Sequence, residues 1–105
     1  MESITSNKQF NELVKSGKPF VLDFYADWCG PCQMLLPTVE MLAEEFEGKV
    51  EILKVDVDKQ RDLASKFKVK SIPALFFLKS NIVKASIKGM ASEQELRKQI
   101  KQLQN

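Results

Sequence analysis

A short apolar run, Phe20-Val21-Leu22-Asp23-Phe24-Tyr25, feeds into Trp28-Cys29-Gly30-Pro31-Cys32, and a helix-period pattern leaves it. No other junction in the chain restricts the fold as much. Near-continuous apolarity of this kind belongs to a strand covered on both faces. Beyond Cys32, apolar residues recur every three or four positions at Leu35, Val39, Leu42 and Phe46, which predicts a helix over about 31–47 with one buried face. A buried strand therefore delivers a cysteine pair to the first turn of a long helix.

Those are the only two cysteines, and Trp28 is the only tryptophan. Residues three apart on a helix hold their Cβ atoms roughly 5–6 Å apart, and a disulfide wants its Cα atoms about 4.4–6.8 Å apart. Dithiol and disulfide both fit with little backbone movement. The first N–H groups of a helix have no partner within it, and the macrodipole adds partial positive charge there. A thiolate is favoured at that end, and the thiolate is the attacking species in disulfide exchange. Pro31 suits the first turn, where its missing N–H costs nothing. Gly30 leaves room for a partner's backbone. Cys32 lies one turn in and is expected to be the more covered. Cys29 is thus the candidate nucleophile and Cys32 the resolving thiol. The competing reading of a C-x-x-C pair is half of a zinc site. Structural zinc takes four ligands, usually Cys or His; with two cysteines and no histidine, no metal is expected unless two chains share it.

Asp23 is the odd residue in the apolar strand. Burying a carboxylate is costly unless it is paired or protonated. One reading is a carboxyl of raised pKa beneath the cysteines that exchanges protons with Cys32 through water; the other is an aspartate reaching solvent at a sheet rim. Lys54 sits in a similar run, between Leu53 and Val55. If the two strands are neighbours it can neutralise Asp23; otherwise it snorkels at a sheet edge.

Composition sets the outer limits. The chain has 105 residues, 44% hydrophobic and 29% charged, with a formal net charge of +2. This suits one domain over 1–105 with one core. So small a charge implies neither nucleic acid nor an anionic membrane. No apolar run approaches the ~20 residues of a membrane-spanning helix. The start, Met1-Glu2-Ser3-Ile4-Thr5-Ser6-Asn7, shows no basic and apolar secretory signal. No cysteine remains for a structural disulfide, so a reducing, cytoplasmic setting is expected. A chain whose signal had already been removed would read the same way.

The remaining elements follow in order. Residues 2–4 are a candidate edge strand. Ser6 with Gln9 fits a capping box for a helix over 7–16 that buries Phe10, Leu13 and Val14, with Gly17 at its C-terminus. Lys18-Pro19 turns the chain into the strand at 20–25. Pro37 is predicted to kink the second helix, and Gly48 to end it. A strand follows over 50–57, then a short helix over 59–66 with Asp58 as its N-cap. Strand, helix, strand at this spacing makes a right-handed, parallel βαβ unit. Strands at 74–79 and 82–88, linked by Ser80-Asn81, make an antiparallel hairpin. Gly89 breaks the last strand. A second capping box, Ser92 with Glu95, opens a C-terminal helix that buries Leu96, Ile100 and Leu103.

The string Trp28-Cys29-Gly30-Pro31-Cys32 after an apolar strand, with Ile72-Pro73 some forty residues later, resembles the active site of the thioredoxin family, and the resemblance extends over nearly the whole chain. It implies the thioredoxin fold: an α/β domain with a central mixed four- to five-stranded sheet flanked by four helices. It implies a thiol–disulfide oxidoreductase that reduces disulfide-containing client proteins, works as a monomer and binds no cofactor. Its electrons would come from NADPH through thioredoxin reductase. The family assigns the proton-exchange role to an aspartate placed like Asp23, has a lysine like Lys54, and carries a proline where Pro37 stands. By resemblance the Ile72–Pro73 bond is cis, faces the cysteines and leaves the Ile72 backbone free to pair with an extended client. Trp28, Gly30, Pro31, Ile72 and Gly89 would then form the apolar docking face. Tyr25, Ser71, Lys88 and Met90 depart from common family residues and bear on partner choice; Ser80-Asn81 lacks the usual turn glycine.

Direction has its own argument. A strongly oxidising C-x-x-C protein needs a strongly stabilised thiolate, which a histidine between the cysteines can supply. The inner pair here is Gly30-Pro31 and the chain has no histidine, so a reducing couple is expected. The alternatives are a disulfide oxidase or isomerase, and a non-catalytic binding subunit of a larger complex.

Overall fold

The computed structural model describes residues 1–105. In chain order the elements are β1 (Glu2–Ser3), α1 (Asn7–Ser16), β2 (Pro19–Tyr25), α2 (Gly30–Glu45), β3 (Glu51–Asp56), α3 (Arg61–Lys66), β4 (Ala74–Lys79), β5 (Ile82–Lys88) and α4 (Glu93–Gln104). One five-stranded sheet runs in the order β1-β3-β2-β4-β5. β3 lies parallel to both β1 and β2. β4 is antiparallel to β2 and to β5, so the sheet is mixed, as expected.

Alternation along β2 explains the two-layered core. Phe20, Leu22 and Phe24 point to one face, where they pack with Phe10 of α1 and Leu63 of α3. Val21 points to the other, under Leu35, Val39 and Leu42 of α2 and Leu96, Ile100 and Leu103 of α4. Successive side chains of a strand take opposite faces, so a strand read as apolar throughout must be covered twice. The interior residues of β2 are all buried, Asp23 among them.

The ends of the helices follow the local chemistry with three corrections. The Ser6 hydroxyl accepts from the Gln9 N–H, but the Gln9 side chain accepts from the Thr5 N–H rather than closing the box on Ser6. Asp58 is not the N-cap of α3. The helix starts later, at Arg61, with Gln60 as a cap that makes no side-chain bond. The buried Asp56 carboxylate instead accepts from the N–H groups of Asp58 and Lys59, holding 57–59 in a turn. α2 ends at Glu45, and Phe46 caps it outside the helical region; Gly48 makes the turn beyond with φ 81°. Pro37 lies on the exposed side of α2, which runs through it unbroken. Gly17 takes the left-handed conformation at the end of α1. Ser92 and Glu95 close a complete capping box on α4.

The β4–β5 hairpin turns without a glycine because Ser80 itself takes a positive φ of 55°. Its register slips between Phe77 and Leu78, so that one residue of β5, Lys84, is left out of the pairing.

Candidate active site

Cys29 is the N-cap of α2, with extended backbone at φ −86° and ψ 106°. Pro31 follows in the first turn, as a helix start favours. Cys29 and Cys32 are joined in a disulfide, with their Cα atoms 5.3 Å apart. The Cys32 backbone N–H points at the Cys29 sulfur, 3.2 Å away. An N-cap side chain ordinarily supplies an oxygen to accept such a bond; here a sulfur takes its place. No acidic residue stands in the first turn of α2, so the positive end of this helix is left for that sulfur alone.

Both cysteines are buried, Cys29 at 4% and Cys32 at 3% exposure. The expected difference in cover is absent in the disulfide form. The difference lies in neighbours. The Cys29 sulfur faces the Ile72 carbonyl oxygen at 3.9 Å. The pair packs with Ala26, and Tyr25, Val57 and Ile72 lie around it. The site therefore forms where the end of β2, the start of α2 and the segment before β4 meet, at the C-terminal ends of β2 and β3.

The Ile72–Pro73 bond is cis. The Pro73 carbonyl accepts from the Gly89 N–H at 2.8 Å, which ties the end of β5 to this loop. Gly89 takes φ 86°, a conformation that favours glycine. A Cβ added at Gly30 would meet nothing within 4 Å; the chain's own packing does not demand glycine there, and the space above it is open to another molecule. Trp28 is 72% exposed, yet its ring is fixed, because Nε1 donates to the Asp58 carboxylate at 2.9 Å. Sequence reasoning missed Asp58 in this role. The signal was Asp56-Val57-Asp58: an aspartate that can fold the turn, followed two residues later by one that the turn presents.

Asp23 is 3% exposed, and Oδ1 is buried without a hydrogen-bond partner. Burial pushes its carboxyl up to about 7, against a smaller opposing pull from the Lys54 charge. Alternation puts Asp23 on the Val21 face of the sheet, beneath α2. Lys54 is its register partner on β3 and Leu75 its partner on β4. The prediction that β2 and β3 are neighbours holds. The neutralising contact does not form, since no Asp23–Lys54 ion pair lies within 4 Å. The Lys54 ammonium sits over the Tyr25 ring instead, 5.4 Å from its centroid. No group of His, Cys, Asp and Glu side chains is arranged to hold a metal.

Comparison with known proteins agrees with this geometry. A family model described as Thioredoxin matches residues 2–102. The chain is 40% identical over 91 residues to Thioredoxin 1 of Chlorobaculum tepidum, covering 86% of this chain and 90% of that one. It is 41% identical over 91 residues to a thioredoxin of Staphylococcus haemolyticus, covering 87% and 86% respectively. Among solved structures, the thioredoxin of Malassezia sympodialis superposes with a TM-score of 0.91 at 32% identity, covering 100% of this chain and 91% of that one.

Proposed function

The chain belongs to the thioredoxin family and is a thiol–disulfide oxidoreductase that reduces disulfides in client proteins; from that premise we propose how its residues divide the work and where its electrons come from.

In the reduced protein the Cys29 thiolate attacks one sulfur of a client disulfide. A Cys29–client bond forms, and the client's other sulfur leaves as a thiolate that takes a proton from water. Cys32 then loses its proton to the Asp23 carboxylate and attacks the Cys29 sulfur. The Cys29–Cys32 disulfide forms, and the client departs with both sulfurs reduced. Two electrons have moved from the pair to the client. The disulfide form of the site is the product of that cycle.

One observation carries the assignment to Cys29: its sulfur sits at the N-cap of α2, with the Cys32 N–H aimed at it from 3.2 Å. A thiolate there gains a charge-assisted hydrogen bond and the helix field. Asp23 suits the proton exchange because a carboxyl near 7 is part ionised at neutral pH and so can take and return a proton. Lys54 tempers that value through its charge across the strand pair. Clients dock on Trp28, Gly30, Pro31, Ile72 and Gly89, pairing with the Ile72 backbone beside Pro73. The pair is re-reduced by an NADPH-dependent flavoprotein, thioredoxin reductase, in the cytoplasm. The chain works as one domain and as a monomer. The reducing direction is supported by the Gly30-Pro31 inner pair and the lack of any histidine.

Trapping tests the division of labour. Cys32→Ser should accumulate covalent client complexes, and Cys29→Ser should not; equal trapping by both would reject the roles. Reduction of the wild-type disulfide by NADPH and a thioredoxin reductase, read as loss of NADPH absorbance, tests the electron source. A reduction potential more oxidising than that of glutathione would favour the oxidase reading.

A further inference from the structure

Between Asp62 and Glu93 the chain holds six lysines, at 66, 68, 70, 79, 84 and 88, and no acidic residue. The rest of the chain carries ten basic and fourteen acidic residues, so the small net charge hides a strong asymmetry. All six lysines are exposed, and none is in an ion pair, since the only pairs within 4 Å join Arg97 to Glu45 and Glu93. Lys66, Lys68 and Lys88 fall on the α1 and α3 side of the sheet, at the end of α3 and along the edge strand β5, and Lys70 precedes the Ile72 loop, whereas Lys79 and Lys84 line a separate cavity on the α4 side with Phe77 and Leu103. The opposite edge of the sheet is acidic, with Glu2, Glu44, Glu47 and Glu51 around one cavity.

This basic corner also has an apolar floor. Phe67, Phe76, Leu78 and Val83 line a cavity of about 350 Å³ that Lys66 and Lys68 border. Val83 is 47% exposed and Ile82 beside it 59%. Cross-strand partners share a face of a sheet. Val83 is the partner of Leu78, and Lys88 of Ala74, and both Leu78 and Ala74 belong to the core on the α1 and α3 side. Lys88 therefore lies on the same face as the cavity, at the end of β5 that Gly89 ties to Pro73. Lys70 precedes Ile72 by two residues. The outer edge of β5 pairs with no other strand. From Val83 to Lys88 the strand spans roughly 17 Å at about 3.3 Å per residue.

Lys68 holds φ at 54°. It follows the C-cap of α3, the place where glycine is preferred. The Lys68 and Val69 N–H groups bond back to the Ser65 and Ala64 carbonyls, so the helix end itself sets this conformation and places Lys68 at the cavity rim.

We propose that this corner is a docking track for an acidic, extended segment of a client protein, whose apolar side chain enters the Phe67–Val83 cavity and whose other end reaches the cysteine pair along the Ile72–Pro73 loop. The proposal rests on the reductase reading, because the track ends at that site. Charge decides the occupant. A second copy pairing antiparallel through β5 about Ser86 would set Lys84 of one copy against Lys88 of the other, and like charges facing each other are unfavourable. Nucleic acid would meet a patch of limited extent on an otherwise acidic molecule, with Phe76 only 7% exposed and so not available for base stacking.

Two disulfide peptides, identical around the disulfide, make the test. One carries an arm of glutamates around a phenylalanine, the other an arm of lysines around a phenylalanine. Electrostatic steering should favour the acidic arm in kcat/KM by about tenfold at low salt, and the preference should vanish near 1 M salt, where the screening length is about 3 Å. Lys66→Glu with Lys68→Glu should abolish the preference and leave the rate on an armless peptide unchanged. Lys68→Gly, which relaxes the backbone, should fold at least as stably and still weaken the preference. Binding of the acidic arm without its disulfide, read by fluorescence anisotropy, should show the same salt and variant dependence, so the track is tested even if no disulfide is reduced. A protein that reduces neither peptide overturns the reductase reading; one that reduces both equally overturns the track. The track is also rejected if a single-stranded oligonucleotide displaces the acidic arm more effectively than free acidic peptide does, or if the protein sediments as a dimer that Lys68→Glu dissolves.

Discussion

Two helix starts in this molecule are built on the same plan and finished differently. At α4, the Ser92 hydroxyl accepts from the Glu95 N–H at 3.1 Å, the Glu95 carboxylate accepts from the Ser92 N–H, and Glu93 adds a second acid to the first turn. At α2, the Cys29 sulfur accepts from the Cys32 N–H at 3.2 Å, and no acid follows. α4 spends its positive end on its own side chains and gains stability. α2 leaves that end unneutralised, at the cost of some stability, and so keeps it for whatever charge the sulfur carries. The difference shows how one local motif serves either folding or chemistry, depending on whether the chain answers its own field.

The strongest way to break the contrast is to make α2 resemble α4. Cys29→Ser supplies the oxygen that an N-cap normally uses. The expected outcome is loss of protein-disulfide reduction to background in an insulin-type turbidity assay. Stability of the variant should stay within about 1 kcal/mol of the reduced wild type by denaturant unfolding. A large loss of stability would mean that the sulfur, not the cap, holds this helix end.

Asp23 sharpens the comparison from below. It is an acid near α2 that the fold has kept from the helix end and hidden under it. Burial pushes its carboxyl up to about 7 from the ordinary value of 3.8, so the folded protein holds this proton more tightly than the unfolded chain does. Stability contributed by the protonated carboxyl is complete below about pH 4, falls as pH rises towards about 7, and changes no further above it. The span corresponds to about 4 kcal/mol at about 1.36 kcal/mol per pH unit. Asp23→Asn should therefore be more stable than wild type by up to about 4 kcal/mol at pH 8, equal to it within about 1 kcal/mol at pH 4, and slower in resolving mixed disulfides. Parallel stability curves from pH 4 to 8 would show that Asp23 is not buried as described.

Most of this was legible because local signals and tertiary demands agreed. The bounds of α1, β4 and β5 follow from periodicity and from Gly17 and Gly89. The cysteine pair followed from helix geometry and the apolar strand before it. Asp23 stood out because nothing else in its strand is charged. What escaped was set by contacts between segments distant in sequence. Asp58 looked like a helix cap, and no local rule could show that Trp28, thirty residues earlier, would take its carboxylate. Lys54 was placed beside Asp23 by strand order, but its ammonium had the Tyr25 ring within reach, a cation–π partner that alternation puts on the same face. The cover of Cys29 was misjudged because its exposure depends on the Ile72 segment, which a reading of the helix alone does not include.

A milder variant adds charge without touching sulfur. Gln33 is exposed in the second half of the first turn of α2, with its amide reaching the Ala26 carbonyl at 3.4 Å. Gln33→Glu places there the negative charge that α4 already has. An acid at a helix start is worth about 0.3–1 kcal/mol, but the carboxylate cannot donate to the Ala26 carbonyl as the amide does, so the helix should gain less than that. The Cys29 thiolate, now sharing its field, should react with a small disulfide about twofold more slowly at neutral pH, since a rise in thiol basicity partly offsets the loss of thiolate. Faster reaction would contradict the claim that the vacant first turn serves the sulfur.

The smallest effect on the chemistry comes from undoing the other helix start. Ser92→Ala removes the hydroxyl that accepts from Glu95 and leaves that N–H to water. Losing such a cap costs about 1 kcal/mol, which for a chain of this size lowers Tm by about 4 °C. Because α4 packs through Leu96, Ile100 and Leu103 on the same face of the sheet as α2, the loss is global in stability and silent in chemistry: thiol titration and the rate of disulfide reduction should match wild type at a temperature where both are folded. If the rate falls with Ser92→Ala under those conditions, the two helix starts are coupled through the shared core, and the division between a start for folding and a start for chemistry does not hold.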